Sequence, residues 1–357
     1  MKILKVTVGS ITVITILAFI ILVVYLGIVP STDKFRDDKG NVIPESIAEL
    51  ERVELGNLEQ QILIRGKDES NPVLLWLHGG PGAVQMPLAH QLDEKLEEEF
   101  VVVHWDQRGA GKSNHRGFDE KTMSFEQFKS DAAELTDYLQ KRMNREKIYL
   151  LGHSWGSFLG LQLVNENPED YYAYIGVSQL VDNLRQLEIA HDWLLKKIHK
   201  QDDSEALEKL EELGEPPYKY DEDIRDFTYL VNDYGGNFDG DMLSLITKIA
   251  SSPEYNFIDY IRGVKGLNRG GAPMYEDGEF TRVNIMEDIS SLDLPVFFLT
   301  GKNDYITPLQ LVEEYFEILE APRKDLVIFE DSAHFPFLQE TEKFNRKIIN
   351  IKKETHN

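Results

Sequence analysis

The chain contains no cysteine among its 357 residues, and this absence removes several kinds of chemistry. Without a thiol there can be no disulfide framework, no thiolate metal site, no cysteine nucleophile and no thiol-linked lipid. Positive charge is also scarce, with 38 lysines and arginines against 62 acidic residues and a formal net charge of −24. Because such a chain would repel phosphates, we expect no nucleic-acid partner.

Motifs for metals and nucleotides are missing as well. The sequence holds no H-E-x-x-H or comparable ligand cluster, so we expect neither a metal nor another cofactor. Residues 109–113, G-A-G-K-S, resemble the end of a phosphate-binding loop, but the full motif requires glycine where Asp106 stands. We therefore expect Asp106 and Arg108 to brace a loop rather than to bind ATP.

Charge is absent altogether from residues 6–29. A helix of that length would extend about 36 Å, enough to cross a hydrocarbon core of about 30 Å. The alternative is a cleaved signal peptide, but the stretch exceeds the usual apolar region and shows no small-x-small cleavage site before Pro30. We expect an uncleaved transmembrane anchor over residues 1–30. Flanking basic residues lie on both sides of it, and since the bulk of the chain follows, we expect a single-pass protein of the cell membrane whose large domain is extracytoplasmic.

The rest of the chain alternates between apolar runs and helical periodicity. A polar linker is predicted over 31–50, and Gly56-Asn57 indicates a hairpin. Near-continuous apolar strands separated by helices favour an α/β fold with a mostly parallel sheet covered on both faces. Strands are predicted over 73–77, 100–105, 148–151, 173–177, 295–300 and 326–329, and helices over 88–98, 124–142, 155–166, 308–319 and 336–352.

The alternation is interrupted over residues 182–290. This stretch is acidic, rich in helical periodicity and broken by P-P and G-G pairs, so we interpret it as a helical cap. The sequence thus predicts a core in two parts, 51–181 and 291–357, with the cap inserted between them.

Residues 152–156 read G-H-S-W-G, between a predicted strand and a predicted helix. This is the context of a nucleophile elbow, in which the flanking glycines permit a tight turn that exposes the serine. The helix N-terminus there favours an anion. Ser154 is therefore the candidate nucleophile; the simpler alternative is an ordinary turn serine.

A serine nucleophile needs a base, and the base needs a group that orients it. His334 and Asp304 each follow a predicted strand, where loops reach the carboxyl edge of the sheet, and the order Ser, Asp, His is that of this hydrolase class. His334 has the alternative of a plain loop histidine, and Asp304 that of a helix cap. Asp182, which follows an earlier strand, is the alternative acid.

Acyl transfer also requires donors for the developing oxyanion. The glycine-rich stretch 78–82 follows a strand, and we expect the backbone N–H groups of Gly80 and Trp155 to form the oxyanion hole. Pro81 has no N–H to donate, and its bond to Gly80 could be cis. The stretch could equally serve as a tight turn. We expect His78 to fix this loop rather than to act as the base.

Three motifs together carry a resemblance: H-G-G-P-G at 78–82, D-Q-R-G-A-G-K-S at 106–113 and G-H-S-W-G at 152–156. Over roughly residues 50–180 and 290–350 the sequence resembles the proline iminopeptidase branch of the α/β-hydrolase superfamily, serine peptidase family S33. The resemblance implies the α/β-hydrolase fold, a cap and the catalytic roles given above for Ser154, Asp304 and His334. It also implies removal of an N-terminal residue, typically proline, from a peptide.

Two departures from that family bear on specificity. His153 stands where the family more often has glycine, and the acidic residues with which the family recognises a free amine are not identifiable in this cap. Glu188, Glu215, Glu254 and Glu276 are candidates, although each is also explained as a solvated surface charge, so no substrate-binding residue is assigned. We expect a membrane-anchored aminopeptidase acting on a small peptide or acyl substrate. The alternatives are a carboxylesterase or amidase, or a binding protein without catalysis.

Overall fold

The structure is a computed structural model that describes residues 29–115, 118–218, 220–269 and 280–356. Apart from its last two residues, the predicted anchor at 1–30 lies outside these described residues. No helix within the described ranges is long and apolar enough to cross a bilayer.

One mixed sheet of eight strands forms the centre, in the spatial order β1-β2-β4-β3-β5-β6-β7-β8. The first two strands pair antiparallel with each other, β2 pairs antiparallel with β4, and all remaining pairs are parallel. The predicted fold class, an α/β-hydrolase fold with a mostly parallel sheet, is confirmed. The strands are β1 Ile47–Leu55, β2 Leu58–Gly66, β3 Val73–Leu77, β4 Val101–Asp106, β5 Ile148–His153, β6 Tyr171–Val177, β7 Val296–Gly301 and β8 Lys324–Phe329.

The start of the sheet differs from the prediction. β1 begins at Ile47, inside the predicted linker 31–50, because Ile47 and Ala48 are buried as the first strand pairs. The predicted hairpin at Gly56-Asn57 is confirmed, with φ of 53° and 58° at the two residues, the left-handed pair that a two-residue hairpin turn requires.

Helices cover both faces of the sheet. Along β3, Leu75 and Leu77 pack into one apolar cluster, whereas Leu74 and Trp76 pack into the cluster on the other face. Burying such a side chain contributes about 1.5–3 kcal/mol, which is why β3 is apolar at every position. The helices are α1 Ala89–Leu92, α2 Phe125–Met143, α3 Trp155–Glu166, α4 Asn183–Gln201, α5 Ser204–Leu213, α6 Asp221–Asp233, α7 Met242–Ala250, α8 Phe257–Arg269, α9 Ile285–Asp288, α10 Leu309–Ile318, α11 Pro336–Gln339 and α12 Thr341–Thr355.

The helix predicted over 88–98 is wrong beyond Leu92. Residues 93–99 form turns because two of their carboxylates point inward to partners on neighbouring strands. Asp93 contacts the ring of His104 at 2.5 Å, and Glu97 contacts Arg65 at 2.6 Å. Glu97 is therefore buried, although its neighbours Glu98 and Glu99 are acidic as well.

The described part of the stretch between β6 and β7, where the cap is predicted, consists mainly of helices. Helices α4, α5 and α6 pack around their own apolar cluster, which includes Leu194, Leu210 and Phe227. This cluster is distinct from the two clusters that flank the sheet, although Ile189 of α4 also packs against one of them and Leu245 and Ile249 of α7 against the other.

Candidate active site

Ser154 occupies the sharp turn between β5 and α3. Its backbone has φ 53° and ψ −119°, a conformation that costs a non-glycine residue energy and is typical of functional sites. The flanking glycines are required sterically: a Cβ on Gly152 would lie 2.2 Å from the Gly156 carbonyl oxygen, and one on Gly156 would lie 2.3 Å from the Leu77 oxygen. The local sequence therefore folds into an elbow rather than an ordinary turn.

Asp304 and His334 come together, although 30 positions separate them in the chain. His334 Nδ1 lies 2.9 Å from Asp304 Oδ2, and both side chains are buried. A carboxylate oxygen can only accept, so Nδ1 carries the hydrogen and Nε2 keeps the lone pair in the neutral ring. The pair therefore presents a histidine in the tautomer that a general base needs.

Burial and the polar neighbours of Asp304 have opposite effects on the pKa of its carboxyl group. Burial alone would raise it, but the His334 charge and hydrogen bonds from His334 and Thr307 outweigh burial and lower the pKa below its ordinary 3.8. The Thr307 hydroxyl donates to Asp304 Oδ2 at 2.8 Å. Asp304 consequently stays ionised beside the histidine at neutral pH.

Asp304 does not cap a helix, because the next helix begins at Leu309 with Pro308 as its N-cap residue; it holds a turn instead. Its Oδ1 accepts the backbone N–H groups of Ile306 and Thr307, both at 2.9 Å, while Oδ2 faces the histidine. Asp182, the alternative acid, instead caps α4 by accepting the N–H of Arg185 at 3.0 Å. The structure thus favours Asp304 as the partner of His334.

A cavity of about 450 Å³ lies between the carboxyl edge of the sheet and the cap, and Ser154, His334, Gly80 and Trp155 all line it. The Ser154 hydroxyl forms no hydrogen bond with the His334 ring among the described contacts. Such catalytic hydrogen bonds are often loose until substrate binds. The four predicted site residues therefore share one space, and their catalytic roles stay predictions.

The glycine-rich stretch 78–82 forms one wall of this cavity. Gly80 has φ +114°, and a Cβ there would lie 2.5 Å from the nitrogen of Gly82, so only glycine fits. The Gly80–Pro81 bond is cis. His78 fixes the loop as expected: its Nδ1–H donates to the Gly79 carbonyl at 2.7 Å, and burial lowers its pKa to about 4. His78 is therefore neutral, and its Nδ1–H is engaged in a hydrogen bond within the loop.

Gln107 was not singled out by the sequence, yet it joins both halves of the predicted oxyanion hole. Its amide N–H donates to the His78 carbonyl at 3.0 Å, and its amide oxygen accepts the Trp155 indole N–H at 3.0 Å. One buried side chain thus ties the glycine loop to the elbow. The only signal in the sequence was its place beside Asp106 in the second motif.

His153, the departure from the family pattern, contacts the candidate base His334 directly. Its Nε2–H donates to the His334 carbonyl at 2.9 Å, and its ring lies 4.8 Å from the His334 ring. Burial, aided by the neighbouring His334, lowers the pKa of His153 to about 3. The ring is therefore neutral and works as a fixed donor.

Asp106 and Arg108 brace the loop as expected. Arg108 forms a bidentate pair with Asp131 at 2.7 and 2.9 Å. Asp106 accepts the backbone N–H of Lys112 at 2.8 Å and the Tyr255 hydroxyl, and burial raises its pKa to about 7. The phosphate-binding alternative is disfavoured because Lys112 is itself buried.

Lys112 links the core to the cap. Its ammonium group contacts Asp259 at 2.9 Å and the Glu254 carbonyl at 3.0 Å. The candidate cap glutamates differ in their exposure. Glu188 and Glu215 are exposed, but Glu254 is fully buried and pairs with His90 at 2.7 Å. Glu254 is thus not a solvated charge, and Glu276 lies outside the described residues.

The cavity lining is apolar and amide-bearing. Across the described ranges no aspartate or glutamate side chain lines it, and the same ranges contain no cluster of three His, Asp or Glu side chains that could hold a metal ion. Its apolar wall includes Leu187, Ile224 and Phe227, its basic residue is Arg225, and its amides are Asn183, Gln186, Asn232, Asn237 and Asn268.

Comparison with known proteins agrees with this geometry. Residues 69–213 match the family model described as serine aminopeptidase, S33. The chain is 33% identical over 309 residues to a probable aminopeptidase, YbaC, of Bacillus subtilis (strain 168), covering 85% of this chain and 96% of that one. It is 25% identical over 279 residues to the proline iminopeptidase of Heyndrickxia coagulans, covering 76% and 87%.

Solved structures show the same fold. The proline iminopeptidase-related protein of Thermus thermophilus superposes with a TM-score of 0.62 at 19% identity, covering 87% of this chain and 98% of that chain. At this identity the likeness concerns the fold alone.

Proposed function

The chain belongs to the serine aminopeptidase family S33, and from this premise we propose that it is a membrane-anchored aminopeptidase of the proline iminopeptidase type. It is a serine hydrolase by family. The observation that supports the finer proposal is the shared cavity, which is lined by the elbow serine, by the two predicted oxyanion-hole residues and by His334, with Asp304 buried behind that histidine. An N-terminal residue of a peptide would be released through an acyl-enzyme.

In the proposed mechanism, His334 Nε2 takes the proton as Ser154 Oγ attacks the carbonyl carbon of the substrate. The buried carboxylate of Asp304 stabilises the imidazolium that forms. The N–H groups of Gly80 and Trp155 receive the developing oxyanion. His334 then protonates the leaving amine, and water, activated by the same histidine, hydrolyses the ester on Ser154.

A second candidate is an esterase or amidase for uncharged acyl groups. It is favoured by a specific observation: the described lining offers amides and apolar side chains but no carboxylate to bind a substrate ammonium. A buried ammonium without a partner is costly. The two candidates share the chemistry and differ in what the cap recognises.

The anchor and the location belong to the same proposal. Residues 6–29 carry no charge and have the length of a membrane span. We infer a single-pass protein of the cell membrane whose hydrolase domain lies outside the cytoplasm.

The test compares three substrates on the full chain: proline naphthylamide, its N-acetylated form and a short acyl ester, with Ser154→Ala as control. An aminopeptidase should cleave the first far better than the second, because acetylation removes the positive charge. Equal cleavage of both naphthylamides, or of the ester alone, would select the second candidate. If no substrate is turned over and a fluorophosphonate fails to label Ser154, the enzymatic proposal is wrong.

A further inference from the structure

Two consecutive cap helices, α7 and α8, present an apolar surface to solvent. Leu243 is 74% exposed and Val264 is 60% exposed, values that are unusual for such side chains in neighbouring helices. Exposed apolar patches mark interaction sites for proteins or membranes. We call this surface the amphiphilic face, and its apolar members are Leu243, Ile246, Ile258, Ile261, Val264 and Leu267.

The charges on the same face are positive, in a chain that is strongly acidic elsewhere. Between residues 242 and 269 the acidic residues are Glu254 and Asp259, and both are buried and paired. The basic residues remain at the surface or partly exposed: Lys248, Arg262, Lys265 and Arg269. Arg262 contacts Asp259 at 3.2 Å and Arg269 contacts Glu120 at 3.1 Å, so the positive charge of the face rests mainly on Lys248 and Lys265. Apolar side chains flanked by lysine and arginine are the pattern of helices that lie in the interface of an anionic bilayer.

The place where the uncharged N-terminal stretch ends favours a bilayer, rather than another protein, as the partner of the amphiphilic face. Ser31 donates its backbone N–H to the Pro253 carbonyl at 3.0 Å, in the connection between α7 and α8. Arg65 holds the next two residues through the Thr32 hydroxyl at 2.5 Å and the Asp33 carbonyl at 2.9 Å. Because two residues extend at most about 7 Å, residue 29, the last of the uncharged stretch, lies close to the connection between α7 and α8.

We propose that the amphiphilic face of α7 and α8 docks onto the surface of the anionic bilayer that holds the anchor. The proposal rests on the membrane anchoring proposed above. It has a consequence for the substrate, since Met242 and Leu267 are exposed and also line the catalytic cavity. The cavity mouth therefore opens at the boundary between lipid and water, and its substrates are amphiphilic molecules that collect there.

The absence of cysteine allows a direct test on the full chain. Single variants Leu243→Cys and Val264→Cys carry an environment-sensitive fluorophore, and Glu211→Cys on the exposed side of α5 serves as the matched control. The protein is reconstituted in vesicles of phosphatidylcholine and phosphatidylglycerol that contain a doxyl-labelled lipid quencher. Quenching should be severalfold stronger at positions 243 and 264 than at 211.

Charge-reversal variants provide a second test of the proposal. Lys265→Glu should reduce quenching at position 243 severalfold, whereas Lys302→Glu, an exposed lysine after β7, should leave it unchanged. Equal effects of the two variants would overturn the anionic-lipid assignment.

Flotation of the vesicles separates this proposal from the anchoring proposal. A chain that floats with the vesicles while labels at 243 and 264 stay unquenched is anchored but not docked, which overturns the inference alone. Labels that are shielded from iodide but not reached by the lipid quencher show that protein covers the face, with the same consequence. A chain that stays with the aqueous phase overturns both proposals.

Discussion

The His334 carbonyl is held by two donors, and removing both should cost more than the sum of removing each. His153 Nε2–H donates to it at 2.9 Å and the Ser178 hydroxyl at 3.1 Å. His153→Ala leaves the Ser178 bond in place, so its cost is mainly the cavity left by a buried ring, about 2–4 kcal/mol. Ser178→Ala removes one hydrogen bond of about 1 kcal/mol.

The double variant leaves the buried carbonyl without a partner, which adds about 1–3 kcal/mol of desolvation cost. We therefore expect a coupling energy of about 1–2 kcal/mol in a double-mutant cycle, measured by urea unfolding followed by tryptophan fluorescence. Since the same carbonyl positions the catalytic ring, kcat should fall more steeply than KM rises in the double variant.

His153→Gln is the matched control, because its amide N–H can still reach the carbonyl. It should recover most of the coupling energy when combined with Ser178→Ala. A cycle that is additive within about 0.5 kcal/mol would refute the reasoning, since it would mean that the carbonyl finds another partner when both donors are gone.

Three further outcomes are expected. Ser154→Gly should be more stable than Ser154→Ala by about 1 kcal/mol in urea unfolding, because glycine adopts φ 53° without strain; equal stability would contradict this. Burial raises the pKa of Asp106 to about 7, so the folded chain binds more protons than the unfolded chain between about pH 4 and 7. The free energy of unfolding should therefore fall by up to about 4 kcal/mol as the pH rises through that window. Asp106→Asn should lose this slope, and parallel slopes in both proteins would count against the assignment. Lys112→Ala removes one of the two cations that contact the buried Asp259 carboxylate, since Arg262 remains at 3.2 Å. The loss should cost about 2 kcal/mol and accelerate proteolysis between α7 and α8; unchanged cleavage would show that the Lys112–Asp259 pair does not hold the cap to the core.

Local sequence was sufficient to predict the elements whose structure depends only on neighbouring residues. β3 and α3 were predicted with their observed bounds, because a short run of apolar residues or a helical period followed by proline needs no distant partner. The elbow belongs to the same class, since Gly152 and Gly156 are needed by the turn itself.

Prediction failed where a polar side chain finds its partner far along the chain. Residues 93–99 look helical, but Asp93 pairs with His104 and Glu97 with Arg65, which ends the helix. Glu254 looks like a surface charge until His90 is placed beside it. Gln107 has no local signature, because its role exists only when the glycine loop and the elbow meet.

The sequence by itself determined the α/β alternation, the elbow and the order of the candidate nucleophile, acid and base, because periodicity and turn chemistry are properties of neighbouring residues. Only the tertiary structure decided that Asp304, not Asp182, partners His334, that the described cavity lining carries no carboxylate, and that residue 31 is hydrogen-bonded to the connection between α7 and α8. Those facts depend on distances between residues remote in the chain, and no local pattern encodes such distances.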